Sequence, residues 1–518
     1  VVGENETLVY PDQTSILNAF KLTGKNRSGF SMGIINSMTA RENAVIYSED
    51  SKRNEVIEPF TNYFIGRAKQ DFNEGTTVLG GMLTSTIRNI KQEHLEFLPD
   101  NSVVGGLDFQ HNWLNRKYFT DAKVFYSKIN GNAEAISSLQ LNSRHLFQRE
   151  NAGHLEYNPE ATSLEGWGGE FSGGKRSGKF RLTGRLEWRS PGVDLNDVGY
   201  MRQADFIEEA VNLVYRVNKP RGILQSYFFN VQHEHRWSYG GESLTDELKT
   251  RTRLVFKNLW KLDLLLNRTF FEIDTRQLRG GPSLRLGGNS HARFFVQTNS
   301  SKDLIFAAGT AYDVRDDNIS NRLNYTFFAQ WIINNRLNFS SKTSYTNETD
   351  FNQYVMQKVV NGNREYIVGE IDRQTISTTL RAEFFVTPEL SFQYYGSPYA
   401  SSGKYSNYRK VEHATAKDPE QRYEPLIIEN EHYLMGPSNV MFHNFTSWAP
   451  DFNFQEFRSN FVARWEYKTG STAYFVWTNN RTRYESSYEP SILQSFKGIS
   501  KVSAQNAFML KISYWFSL

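Results

Sequence analysis

The 518-residue chain has no cysteine. Disulfide frameworks and thiol nucleophiles are therefore excluded, and the composition fits an envelope protein that avoids stray oxidation. Long hydrophobic runs are also missing: no stretch approaches the roughly 18 apolar residues of a transmembrane helix. That absence leaves a membrane barrel open, because a barrel strand needs only alternating faces. A large excess of charge is missing too. Net charge is +3 and no basic helix is clustered, so no nucleic-acid partner is expected. The first residues, Val1, Val2 and Gly3, show neither an initiator Met nor an apolar leader, so the chain reads as a mature product or a fragment.

What is abundant is aromatic. Tyr 27, Phe 38 and Trp 10 make 14% of a chain with mean hydropathy −0.57. These residues follow a period of two. The chain ends "NAFMLKISYWFSL", with Phe508, Leu510, Ile512, Tyr514, Phe516 and Leu518 in one register and Met509, Lys511, Ser513, Trp515 and Ser517 in the other. "FRLTGRLEWRS" sets Phe180, Leu182, Leu186 and Trp188 against Arg181, Thr183, Arg185, Glu187 and Arg189. "EFRSNFVARWEYK" and "TISTTLRAEFF" behave the same way. A period of two is strand geometry.

A sandwich and a membrane barrel both produce alternation. Runs of ten to fifteen residues, long enough for the roughly 9–11 tilted residues of a span, favour the barrel. So do Trp188, Trp465, Tyr467, Tyr118 and Tyr126 at the ends of apolar registers, where interfacial girdles belong. The expected fold is all-β: a large antiparallel transmembrane β-barrel of about 20–22 strands with long extracellular loops. Its last strand is expected to close on its first. "DFIEEAVNLVYRV" is read as a strand, since Val211, Leu213, Tyr215 and Val217 alternate. Residues 1–15 are expected to be a linker or a segment in the lumen, and 16–518 the barrel. Within it, 396–451 is expected to be a long loop acting as lid or plug. Further loops are expected near 148–166 and 190–205.

Particular words then stand out. "ILNAFKLTGKNRSGFSMGIINSMTAREN" (16–43), "NYFIGRAKQDF" (62–72), "RSPGVDLNDVGYMRQAD" (189–205) and "PDFNFQEFRSNFVARWEYKTGSTAYFVW" (450–477) resemble a bacterial outer-membrane family of unknown function. In that family the C-terminal barrel usually follows a domain similar to family-nine carbohydrate-binding modules. The resemblance implies a β-barrel in the outer membrane of a gram-negative envelope. It brings no catalytic residue with it.

Candidate chemistry is sparse. "GGKRSGK" (173–179) has Phe180 where a phosphate-binding loop needs Ser or Thr, so it reads as a hairpin turn. His233 and His235 share a strand face without a third ligand, and "DVRDDN" (313–318) lacks the order of a calcium loop. Asp194, Asn196 and Asp197 of "GVDLNDVGY" suit Asx turns better than a glycosidase pair. No catalytic, cofactor or metal residue is expected. The lumen-facing candidates are Arg181, Arg185, Glu187, Arg381, Glu383, Arg458, Arg464 and Glu466, which either solvate a lumen or set its selectivity. Tyr399, Tyr405, Tyr408, Tyr423 and Trp448 are candidates for stacking on sugar rings. The expected function is a non-enzymatic outer-membrane barrel that passes a solute, glycans included, or binds at the surface. The alternatives are a hydrolase at the barrel mouth and a structural subunit of an envelope complex. Expected partners are outer-membrane lipid and lipopolysaccharide, a glycan ligand and envelope proteins.

Overall fold

The fold is taken from a computed structural model, which describes residues 6–11, 13–48, 51–317, 319–360, 362–429, 433–435, 441–443 and 450–515. The chain is all-β, with a single antiparallel barrel sheet of 23 strands. Two of these are three-residue pieces, Leu284–Leu286 and Tyr423–Pro425. By contacts the chain divides into two units: residues 1–214, 232–246 and 273–284, and residues 215–231, 247–272 and 285–518.

In the first unit the barrel strands pair with one another in chain order. The series runs Ile16–Lys25, Phe30–Thr39, Phe60–Phe72, Thr77–Asn89, Asn101–Trp113, Tyr118–Asn130, Ser163–Lys175 and Phe180–Arg189. The registers carry a large set of apolar residues from these strands onto one face. Leu83 lies opposite Gly66 and Gly105, Leu107 opposite Val124, and Tyr126 opposite Trp167. This apolar face is the more exposed one: Leu107 is 63% and Phe180 60% exposed, whereas Arg181, Thr183 and Arg185 on the other face are half-buried. A water-soluble sheet does the reverse, and a contiguous exposed apolar face marks contact with something apolar.

The second unit repeats the scheme through Lys261–Asp274, Asn289–Gln297, Leu304–Arg315, Asn321–Asn334, Leu337–Val360, Asn363–Phe385, Leu390–Val411, Phe452–Lys468, Ser471–Glu485 and Gln505–Ser513. Tyr325, Phe327 and Trp331 alternate outward here, while Ile305 and Ala307 are buried. The strand read at 206–217 is present as Phe206–Val217. Ile16–Lys25 and Gln505–Ser513 are exposed at every residue. A ladder joining them, which alternation leads one to expect, is not among the described pairings. Phe516 and Leu518 of the terminal pattern lie outside the described residues.

Three expectations need correction. Residues 396–411 are not loop: they belong to Leu390–Val411, paired with Asn363–Phe385 on one side and Phe452–Lys468 on the other. The pattern hid this because "SPYASSGKYSNY" has no apolar register, and Pro398 lacks the N–H a ladder uses. The chain after Val411 turns back, so that Tyr423–Pro425 pairs with Arg409–Val411. Next, Thr7–Val9, expected in a linker or lumen segment, forms a strand against Glu42–Tyr47, which pairs in turn with Lys52–Glu58. Finally, the expected 148–166 loop is shorter at its end, because a strand begins at Ser163. A helix, Ala133–Leu141, precedes it and is started by Asn132, whose side chain accepts the Ala135 N–H at 2.9 Å.

Leu337–Val360, Asn363–Phe385 and Leu390–Val411 have 24, 23 and 22 residues, about twice what a bilayer span needs. Toward their joined ends Tyr366, Ile367 and Val368 are buried in succession. Successive strand residues face opposite ways, so protein covers both faces there. Val355, Ile367, Tyr408 and Leu426 form that small core. Ile367→Ala is expected to cost about 2–5 kcal/mol. Amide hydrogen exchange should speed up across 355–371 and not across 376–385; unchanged protection of 355–371 would show that this core holds nothing together.

Candidate functional site

The polar face of the first unit is covered where three chain segments fold onto it. Glycine permits the closest approach. A Cβ on Gly166 would lie 2.2 Å from the backbone nitrogen of Val193, and one on Gly192 would lie 2.3 Å from the carbonyl oxygen of Glu165. Strand and loop thus run back to back through two residues without side chains. Loop residues Val193, Met201 and Ala204 are buried together against Phe125 and Leu195. The helix adds a second contact, with Ile136 packed on Ile129 and Leu164.

Polar hubs tie the segments down. Asp194 is 2% exposed. Its Oδ2 accepts from Arg144 Nε at 3.0 Å and faces His145 Nε2 at 3.1 Å, and its Oδ1 accepts the Asn196 N–H at 2.8 Å. The Asp194 N–H donates to Ser127 Oγ at 3.0 Å. His145 Nδ1 meets the Pro191 carbonyl at 2.8 Å. Both ring nitrogens therefore face acceptors, and both contacts are hydrogen bonds only when each nitrogen carries a proton. A second hub is Asp205, which accepts from Arg149 Nη2 at 2.8 Å, lies 2.7 Å from His154 Nε2 and takes the Tyr239 N–H at 3.1 Å. Arg88 pairs with Asp197 at 2.5 Å. Burial pushes the Asp194 carboxyl up, but the His145 and Asn196 hydrogen bonds and the Arg144 charge hold it below its ordinary range. Burial raises Glu242, in the nearby hairpin turn, against the opposing pull of Arg149 and His154.

Beneath the loop lies a cavity of about 340 Å³, walled by Ile65, Met82, Val104, Phe125, Leu195 and Val198. Arg67 and Asp108 line it too and pair at 2.9 Å. The loop thus fills part of the polar face and leaves a small apolar chamber beside it.

The residues anticipated from sequence are scattered rather than assembled. Arg185 bridges Glu187 at 2.6 Å and Glu208 at 2.5 Å, and Arg189 joins Glu187 at 2.9 Å. Arg181 donates to the Gly178 carbonyl in the hairpin turn, 3.2 Å away. Arg381 lies over the Tyr395 ring at 5.6 Å, and Glu383 accepts from Asn338 at 3.4 Å. Arg458 pairs with Glu456 at 2.6 Å and Arg464 with Glu466 at 2.9 Å. His233 and His235 share Asp246, at 2.8 and 3.8 Å. Among the described residues no cluster of His, Asp or Glu suits a metal. Asp317 caps its own turn through the Ile319 and Ser320 N–H groups.

The sugar-stacking set does not present open rings as a group. Tyr408 is buried in the small core, and Tyr405 packs against it. Arg409 and Phe351 cover Tyr423, whose hydroxyl donates to Asn352 at 2.6 Å. Tyr399 meets Phe454 edge-on at 5.9 Å. Trp448 lies outside the described residues. The tyrosines are occupied because strand Leu390–Val411 runs where a loop was expected. Sequence reasoning missed Arg144, His145, Arg149, His154 and Asp205. The available signal was a basic stretch, "SRHLFQREN", set against the acidic "VDLNDVGYMRQAD".

Two outcomes follow. Gly166→Val should push the loop off its strand at a cost of about 1–3 kcal/mol and open 191–205 to protease; a resistant variant would contradict the back-to-back packing. Because Asp194 is depressed in the fold, its contribution is complete above the unfolded carboxyl range, near pH 3.9, and is lost as pH falls through the lower folded value. Protease sensitivity of the loop should rise in that acidic window, and Asp194→Asn should weaken the dependence.

No curated protein matches the sequence. Among solved structures, the chain is similar to an anion-selective porin from Comamonas acidovorans, at 11% identity and TM-score 0.29, over 62% of this chain and 90% of the porin. It is similar to the FrpB iron transporter from Neisseria meningitidis, at 9% identity and TM-score 0.45, over 88% and 73%. It is also similar to the ferric citrate transporter FecA in its unliganded form, at 9% identity and TM-score 0.36, over 92% and 72%. The family model described as a domain of unknown function (DUF5916) matches residues 1–517, and the chain belongs to that family.

Proposed function

We propose that this is a non-enzymatic outer-membrane barrel whose polar face lines a passage for a solute, narrowed by the segment 190–205 and the Ala133–Leu141 helix. The observation that carries the reading is the inverted exposure of the sheet. Its large apolar side chains, Leu107, Phe180, Tyr325 and Trp331 among them, face outward, and its charges face the other way. Hydrocarbon stabilises such an outward face. The charges opposite, Arg185, Glu187, Arg464 and Glu466 included, then belong to a wetted lumen, where paired charge is tolerated.

An enzyme at the barrel mouth has less support. Asp194 and Asp197, the carboxylates it would use, are held by His145, Arg144 and Arg88. Carboxylates that are buried and ion-paired in this way position a loop. Glycan binding through the tyrosines is weakened by the cover over Tyr408 and Tyr423, and is left to the carbohydrate-binding partner domain that the family resemblance implies. Outer-membrane lipid and lipopolysaccharide are the surroundings this reading requires.

The test is conductance in planar bilayers. Replacing 192–204 by a short Gly-Ser link should raise single-channel conductance over the wild type. If neither protein conducts, the passage reading fails. Leu182→Arg, on the outward face, should cost about 2–4 kcal/mol at the bilayer midplane, measured by folding into liposomes; an unaffected variant would argue against lipid on that face.

A further inference from the structure

Most charges on the polar face are matched, as in the Arg185–Glu187 and Arg464–Glu466 pairs. One place in the second unit is not. Arg251, Arg253 and Arg293 all converge on Asp263. Its Oδ2 accepts from Arg251 Nη2 at 2.8 Å and Nε at 3.1 Å, and from Arg253 Nε at 2.8 Å, while its Oδ1 accepts from Arg293 Nη2 at 3.0 Å. Lys261 and Lys342 line the same cavity of about 540 Å³. Three cations thus hold one carboxylate, and two more line the same hollow.

The register explains how they meet. Asp263 lies opposite Phe295, Lys261 opposite Gln297 and Leu265 opposite Arg293. Across the next strands Phe295 faces Gly309, Gly309 faces Thr326, and Phe328 faces Lys342. The strand between carries Ala307, Gly309 and Ala311 on this face. The Phe295 side chain lies over Gly309, and Phe295, Thr326 and Phe328 complete the wall of the hollow beside the long basic side chains.

We propose that this hollow binds a multivalent oxyanion, such as a phosphate- or polycarboxylate-bearing solute. The inference deepens the passage reading and rests on it, since a solute reaches this face only if the face is wetted. Guanidinium groups are planar forks that match oxyanions in bidentate fashion. Asp263 is 6% exposed and sits beneath three of them, so it fixes their direction without neutralising them. The guanidinium heads stay partly open, with side chains 35–44% exposed. Clustered like charge is unfavourable by itself, and a bound anion relieves it.

The experiment titrates pyrophosphate into the full chain in detergent, followed by calorimetry and by 31P line broadening. Wild type should bind, more weakly as salt rises. Arg251→Gln with Arg253→Gln should weaken binding at least tenfold. Lys342→Gln, which leaves the Asp263 contacts untouched, should weaken it severalfold, and this keeps the test sound if the double variant fails to fold. Absence of binding by the wild type, or equal binding by Lys342→Gln, overturns the proposal. Either result leaves the passage reading standing wherever the barrel conducts. Binding without conductance would keep the anion site and remove the passage.

Discussion

A strand placed in hydrocarbon has nowhere to put its N–H and C=O groups except on its neighbours. On the proposed membrane reading, that constraint organises this molecule. Long ladders such as the one between Phe60–Phe72 and Thr77–Asn89, or between Ser163–Lys175 and Tyr118–Asn130, pair residue after residue without a shift. With the backbone satisfied inside the sheet, the side chains are free to divide: apolar on one face, charged on the other. The outward apolar surface then needs no internal core. The buried apolar clusters are correspondingly small and lie toward strand ends and loops, around Ile136, Val193 and Ile367.

The same constraint sets where alternation can be read. Phe180–Arg189 was legible residue by residue because one face meets an apolar surrounding and the other a polar one. Leu390–Val411 was not. Its Gly403 lies between Arg373 and Phe452, and its Tyr408 is buried in protein. Where both faces touch protein, side chains answer to individual neighbours, and the period of two disappears. The Ala133–Leu141 helix was missed for a related reason. It is nine residues long, and only part of one face is covered, too little for a helical repeat to stand out.

The candidate site was half legible. "GVDLNDVGY" could be recognised as a structured loop, and its Asp194 and Asn196 do make local turns, Asn196 accepting the Met201 N–H at 2.6 Å. Its partners could not be read, because His145 is 49 positions away and meets Asp194 only through the fold. Nothing in the pattern said that Gly166 and Gly192 would face each other across a close contact. Glycine in a strand signals that something approaches but does not say what.

Charge follows the same division between local and long-range information. Pairs two residues apart on one strand, Arg185–Glu187 and Arg464–Glu466, can be anticipated from the register alone. Asp263 and Arg293 are 30 positions apart, on neighbouring strands joined through a long turn, and their meeting depends on strand order and stagger. A run of Arg in one strand is ambiguous, since it is neutralised or not according to what the next strand brings. Here Asn289–Gln297 brings another Arg, and Leu304–Arg315 brings Ala307, Gly309 and Ala311. A surplus of positive charge therefore remains over a hollow. Ordinary solvation of a lumen would be served as well by matched pairs such as those elsewhere on the polar face, and the mismatch at Asp263 is the feature on which the proposed anion binding rests.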